Sequence, residues 1–264
     1  MTTTETRPLA VVTGASSGIG YELAKQFAGH GFDLLITAED ERLDRAAAVL
    51  GSASGGRITS VRSDLRTAEG VEALYEAVTA TGRPVALNAG VGRGGAFVDT
   101  DLDDEKEIID LNISSTVHLA KRLLRDMTAR DEGRVLITSS IASTMPGSFQ
   151  AVYNASKSFL QSFAEALQNE LKDTGVTVTS LMPGPTETDF FRRADMLDTR
   201  VGASEKDDPA QVAEQGFDAL MKGEAKIVAG SLTTKASGVA NDVLPDAAKA
   251  QAHRVMSKPG SAEK

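Results

Sequence analysis

Apolar positions in this chain come in short bursts, separated by longer stretches in which they recur every three or four residues. The bursts are PLAVVT (8–13), DLLITA (33–38), RITSVRS (57–63), PVALNAG (84–90), GRVLITSS (133–140), VTVTSLM (176–182) and KIVAG (226–230). Each is bounded by Gly, Pro, Asp or Ser, as strands are. Both alternating faces of these runs are largely apolar, which predicts strands covered by helices on both sides and so a mainly parallel, doubly wound sheet. Helical patterns lie between them: GIGYELAKQFAGHG (18–31), TAEGVEALYEAVTATG (67–82), a long one over 103–133 and another over 152–175, with closing glycines suited to C-terminal caps. At 264 residues the α/β chain is expected to form a single domain.

Composition narrows the function. The formal net charge is −9 and no run of Lys and Arg offsets it, so neither nucleic acid nor an anionic membrane surface is expected as a partner. The absence of cysteine excludes disulfides, thiolate metal sites and cysteine nucleophiles, and His30, His118 and His253 are too scattered to form a ligand cluster. These histidines read as structural or surface residues. The start MTTTETRP lacks the apolar core of a signal peptide, and no apolar run approaches the roughly 20 residues that span a bilayer. A cytoplasmic location is the expectation.

The first strand-to-helix turn is TGASSGIG, with Gly14, Gly18 and Gly20. The spacing is not G-x-G-x-x-G, yet the physical task can be the same. Gly14 permits a tight turn, Gly18 lets the backbone approach a pyrophosphate, Gly20 allows close helix packing, and the helix N-terminus supplies oriented N–H groups. Ser16 and Ser17 add hydroxyl donors. A glycine-rich turn without a ligand is the plain alternative. Further on, YNASK (153–157) places Tyr153 and Lys157 four residues apart, on one face of a helix. A phenol ordinarily titrates near pH ~10, and a neighbouring cation favours the phenolate. Taken alone, such a pair is common on solvated helices. Asn112, inside the long helical pattern, is either a surface amide or a residue that competes for backbone hydrogen bonds and distorts the helix locally.

Together TGASSGIG, SDL (63–65), NAG (88–90), Asn112 in LNISS, ITSS ending at Ser140, YNASK and PGPTET (183–188) resemble the short-chain dehydrogenase/reductase family, from about Leu9 to about Gly230. The resemblance implies a Rossmann-like fold and a metal-independent oxidoreductase that moves a hydride between a nicotinamide cofactor and an alcohol or carbonyl. Tyr153 would be the general acid/base, Lys157 would lower its pKa and bind the nicotinamide ribose, and Ser140 would hydrogen-bond the substrate oxygen. Asn112 would hold a water linking Lys157 to solvent. Cofactor contacts would come from Gly14, Ser16, Ser17, Gly18, Ile19 and Gly20, from Asp64 and Leu65 beside the adenine, and from Asn88, Ala89 and Gly90 along the groove. Pro183, Gly184, Thr186 and Thr188 would hold the nicotinamide end. The alternative is a dinucleotide-binding regulator or scaffold with little turnover.

Residues 8–230 are thus expected to form the dinucleotide-binding and catalytic domain, with 187–208 as a substrate lid, 1–7 as a flexible N-terminus and 231–264 as a C-terminal extension. The stretch Asp242 to Met256 reads as either a short helix or a loosely docked end. Met145, Phe149, Phe190, Phe191 and Met196 are candidates for an apolar substrate pocket, although such stripes also pack cores. Phe159, Phe163 and Leu167 are candidate outward residues for a homodimer or homotetramer. The second strand ends ITAEDERL, where NAD-preferring relatives often carry Asp at the position of Ala38 and NADP-preferring relatives Arg at that of Glu39. Glu39 can accept from a ribose diol and would repel a 2′-phosphate, so NAD is expected. NADP is the alternative, through Arg42.

Overall fold

A computed structural model of the chain describes residues 7–78 and 82–262. The proposed flexible N-terminus lies, apart from Arg7, outside the described residues. All seven apolar runs are strands: β1 (Leu9–Thr13), β2 (Asp33–Ala38), β3 (Ile58–Arg62), β4 (Gly82–Leu87), β5 (Gly133–Thr138), β6 (Val176–Pro183) and β7 (Lys226–Ala229). They form one parallel sheet in the order β3-β2-β1-β4-β5-β6-β7. The strand order reverses between β1 and β4, which opens a crevice at the carboxyl edge of the sheet there.

Alternation along each strand feeds two cores. Ala10, Val12, Leu34 and Ile36 point to the face covered by α1 (Gly18–Gly29), α2 (Arg42–Ser54) and α9 (Pro209–Lys222), where Phe27 meets Phe32 and Phe217 edge-on at 5.4 and 5.1 Å. Val11, Leu35, Val85, Val135 and Ile137 point to the other face, under α3 (Ala68–Ala77), α5 (Ser115–Arg130) and α6 (Ala151–Glu170). A strand buried on both faces needs apolar residues at every position, which is why these runs are continuous. Phe163 and Leu167 pack against this second core, leaving Phe159 as the exposed member of the proposed subunit face.

The long helical pattern is not one helix. α4 (Leu102–Ile108) passes through a π-helical segment, Ile109–Ser114, into α5. Asn112 lies in this segment, fully buried, so it is no surface amide. The expected glycine end is met at α1, where Gly31 is left-handed (φ 84°) just past the helix, but α5 stops on Asp131, itself left-handed with φ 54°; further glycine caps fall at Gly55 and Gly223, behind α2 and α9. The segment 187–208, expected to act as a lid, contains two short helices, α7 (Phe190–Arg193) and α8 (Arg200–Ala203). The extension forms two helices, α10 (Leu232–Val243) and α11 (Asp246–Ser257), divided at Pro245, where one short helix or a loose end was expected. They are tied down: His253 hydrogen-bonds the Ser148 carbonyl, Asn241 donates to Thr144, and Ser261 accepts from the Arg200 N–H. Among the described residues no helix is long and apolar enough to cross a membrane.

Candidate active site

The turn after β1 opens the crevice. Gly14 (φ 67°) and Gly18 (φ 58°) take left-handed conformations that a side chain would strain, and a side chain on Gly20 would run into the Gly14 carbonyl. Ser17 begins α1 in an extended conformation without capping it through its side chain, and Ile19 follows in the first turn. These features fit an anion such as a pyrophosphate, because first-turn N–H groups have no partner within the helix. Ser16 is used differently from the expectation: its hydroxyl donates to Asp40 Oδ2 at 2.7 Å.

The walls are held by side chains committed to the fold. Thr13 Oγ1 accepts from the backbone N–H groups of Asn88 and Ala89, each at 2.9 Å, and Asn88 Oδ1 accepts from Thr138 at 3.0 Å. Asn88 therefore ties β1, β4 and β5 together at their carboxyl ends. Gly90 leaves little room: a Cβ there would sit 3.1 Å from Asn112 Oδ1 and 3.4 Å from Lys157 Nζ. Asn112 pairs with the Val91 backbone in both directions at 2.9 Å, and its second amide hydrogen goes to Ser156 at 3.0 Å. With both amide hydrogens committed, any water it holds for Lys157 would be held chiefly by its main chain.

The catalytic candidates converge where β5 and α6 meet. Ser140 is buried at the N-terminus of a 3₁₀ turn, Ile141–Thr144, donating to the Pro183 carbonyl at 3.3 Å. Lys157 is buried, donates to the Thr138 carbonyl at 2.9 Å and lies 5.8 Å from the centre of the Tyr153 ring. Burial penalises each charged form. It pushes the Tyr153 phenol up to about 12, opposed by a hydrogen bond with Ser140, and it pushes Lys157 down to about 8. The protein alone thus raises the phenol, where a lowering by Lys157 was expected, because desolvation outweighs the hydrogen bond with Ser140.

Past the carboxyl ends of β2 and β3, where the resemblance implied the adenosine would lie, two arginines that sequence reasoning passed over or held in reserve are prominent. Arg66 is held by Asp64 at 2.8 Å, Glu107 at 2.6 Å and Glu39 at 2.5 Å, and its guanidinium keeps the Asp64 carboxyl below its usual range. Arg42 pairs with Asp40 at 3.0 Å and with Asp189 at 2.7 Å. Leu65 points into the core instead of the groove. The signals were the charges beside the named positions, Asp40 next to Glu39 and Arg66 two residues after Asp64.

The substrate candidates divide. The Phe190 ring stands 5.1 Å from Tyr153. Phe191 and Met196 instead form a small core within the lid, with Ala194 and Val201. Met145 lines a cavity of about 580 Å³ with Ala151, Ala155, Ser158 and Asp246, on the face of α6 about half a turn from Tyr153 and Lys157. Phe149, at φ 66°, is fixed by Gly95 N–H on its carbonyl and by Arg254 5.1 Å above its ring. Gly184 and Thr186 pack against Asp207, whereas Thr188 lies over Gly18 and accepts from the Phe190 N–H at 3.2 Å. Among the described residues no group of three or more His, Cys, Asp or Glu is placed to hold a metal ion.

A profile of the short chain dehydrogenase family matches residues 8–197. This chain belongs to the short-chain dehydrogenases. It is 33% identical over 209 residues to the oxidoreductase UcpA of Salmonella typhimurium, covering 77% of this dehydrogenase and 76% of that protein. Among solved structures it is similar to a short-chain dehydrogenase from Sphingobium yanoikuyae in complex with NADPH, at TM-score 0.79 and 27% identity, with 84% of this chain and 87% of that one covered. It is equally similar to a short-chain dehydrogenase/reductase from Burkholderia phymatum in complex with NAD, at TM-score 0.79 and 25% identity, covering 84% and 88%.

Proposed function

We propose that this dehydrogenase is a nicotinamide-dependent oxidoreductase that interconverts an alcohol and a carbonyl on a small molecule. The observation that carries the reading is the convergence of Ser140, Tyr153 and Lys157 at the end of a crevice that begins with a glycine turn. When bound, the cofactor supplies or accepts the hydride. The backbone around Gly14, Gly18 and Ile19 holds its pyrophosphate, and Lys157 binds the ribose next to the nicotinamide. Solved relatives that carry NADPH and NAD support a dinucleotide here.

The protein's own share is proton handling and orientation. With its phenol pushed up to about 12, Tyr153 is protonated at neutral pH and poised to donate to a carbonyl oxygen. Ser140 hydrogen-bonds the same oxygen and steadies the charge that develops on it. Lys157, at about 8, titrates near neutrality and can restore the phenol's proton. In the oxidising direction Tyr153 must lose its proton, which needs more positive charge nearby than one lysine supplies. Phe190 beside Tyr153 gives the substrate an apolar wall.

NAD is the preferred cofactor in this reading. Arg66 is saturated by Glu39, Asp64 and Glu107, so the corner that would meet a 2′-phosphate is acidic. Phe159, exposed on α6 with its ring 6.0 Å from Phe163, is a candidate contact in a homodimer or homotetramer. A panel of alcohols and carbonyls, followed by nicotinamide absorbance with NAD(H) and NADP(H), tests the function. Turnover of an alcohol or ketone, with lower KM for NAD(H), is expected. Dinucleotide binding with no turnover of any member would favour a regulatory or scaffold role.

A further inference from the structure

The pairing of Arg42 with Asp189 is unusual for where it lies. Arg42 opens α2 just past β2, and Asp189 precedes α7 just past β6. In the sheet these strands are separated by β1, β4 and β5. Four strand spacings amount to about 19 Å, so the two groups meet only because the chain after β6 folds back across the carboxyl edge. That path crosses the switch point between β1 and β4, where the glycine turn opens. Thr188 marks the crossing: its Cγ2 is 3.1 Å from where a Cβ on Gly18 would lie.

The contact is anchored on both sides. Asp40 accepts from Ser16 of the glycine turn at 2.7 Å, and from Arg42 Nε at 3.0 Å and Nη2 at 3.3 Å. Arg42 Nη1 then reaches Asp189 Oδ2 at 2.7 Å, and Arg192 from the lid side holds the same oxygen at 3.1 Å. The next residue after Asp189 is Phe190, whose ring stands beside Tyr153. A chain of polar contacts therefore runs from the phosphate turn, over the crevice, to the residue that covers the phenol.

We propose that Arg42 and Asp189 form a strap across the crevice that sets how fast the dinucleotide enters and leaves, and that opening the strap draws Phe190 away from Tyr153. The inference rests on the reading that the crevice takes a nicotinamide dinucleotide. Both side chains are more than a third exposed, so the strap is weak and sensitive to salt. Its removal changes rates a fewfold, and because it hinders passage both ways it alters affinity little.

The test is stopped-flow binding of NADH and NADPH followed by nucleotide fluorescence, with displacement by excess oxidised cofactor, on the wild type, Asp189→Asn and Arg42→Gln. Expected for both variants is a rise of about three- to fivefold in association and dissociation rates, the worth of the exposed Arg42–Asp189 pair that both remove, with a nearly unchanged dissociation constant. Added NaCl should accelerate exchange more in the wild type than in Asp189→Asn. Wild-type rates in Asp189→Asn would overturn the strap. So would an effect of Arg42→Gln confined to weaker NADPH binding, which would make Arg42 a ligand of the 2′-phosphate. Failure of the wild type to bind either nucleotide would overturn the dinucleotide reading itself, and the strap with it.

Discussion

Replacing Lys157 with methionine should stabilise the fold at neutral pH while removing its activity. The ammonium is buried, and desolvation brings it from its ordinary 10.5 down to about 8. At about 1.4 kcal/mol for each pH unit, holding the charged form in the folded state costs on the order of 3 kcal/mol. Against this stands its hydrogen bond to the Thr138 carbonyl at 2.9 Å. An unsatisfied buried acceptor costs about 1–3 kcal/mol, and the methionine, of similar length, refills the space. The net gain is about 1 kcal/mol, or roughly 2–4 °C in Tm for a domain of this size. The pH dependence is the sharper test. Below about 8 both folded and unfolded lysine carry the proton and the cost is complete; between about 8 and 10.5 the folded state has released its proton while the unfolded state retains it. There the unfolded state binds more protons, so wild-type stability rises with pH relative to the variant. Urea unfolding of both proteins across this window measures the difference directly. A wild-type minus variant difference that stays flat from pH 7 through the alkaline range would refute the reasoning, whatever its absolute value.

Three other outcomes follow from the same geometry. In carbonyl reduction kcat/KM should fall above a pH near 8, as Lys157 loses the proton that replenishes Tyr153; a profile flat through the alkaline range would contradict that relay. Glu39→Arg should relax the preference for NAD, read as the ratio of KM values for the two cofactors, because it converts one of the carboxylates around Arg66 to a cation. Ending the chain at Leu244 removes α11, with its contacts to Ser148 and Phe149, and the residues after it, with Gly260 on Asp198. That truncation should raise the substrate KM and lower Tm by several degrees, with cofactor affinity retained, as titration and thermal unfolding would show.

Much of the fold was legible because the central strands are buried on both faces, and a run such as AVVT or LLIT has few other uses in a chain of this composition. The candidate catalytic positions could be named through the family resemblance, carried by a glycine turn, a seryl strand end and a Tyr–Lys pair one helical turn apart, and the structure brings Ser140, Tyr153 and Lys157 together. What sequence could not resolve was set by contacts between distant segments. The π segment at Asn112 depends on Val91 and Ser156, residues 21 and 44 positions away. The rise of the Tyr153 pKa depends on how completely the lid and α6 exclude water, which no local pattern records. Phe191 and Met196 read equally well as pocket or core, and only the folding of the lid on itself decided between them. Arg42 was visible as a spare cation near Glu39, but its partner Asp189 lies 147 residues away, and nothing short of the sheet order brings the two together.

The most direct measurement is a comparison of wild type and Tyr153→Phe on one accepted ketone, with cofactor binding titrated separately. The phenol is the proton donor in this account, so the variant should bind NADH with an unchanged dissociation constant and lose about 10²–10⁴-fold in kcat, the usual contribution of a positioned acid/base. Wild-type kcat in the Phe variant would contradict the assignment of Tyr153, and with it the proposed chemistry of the site.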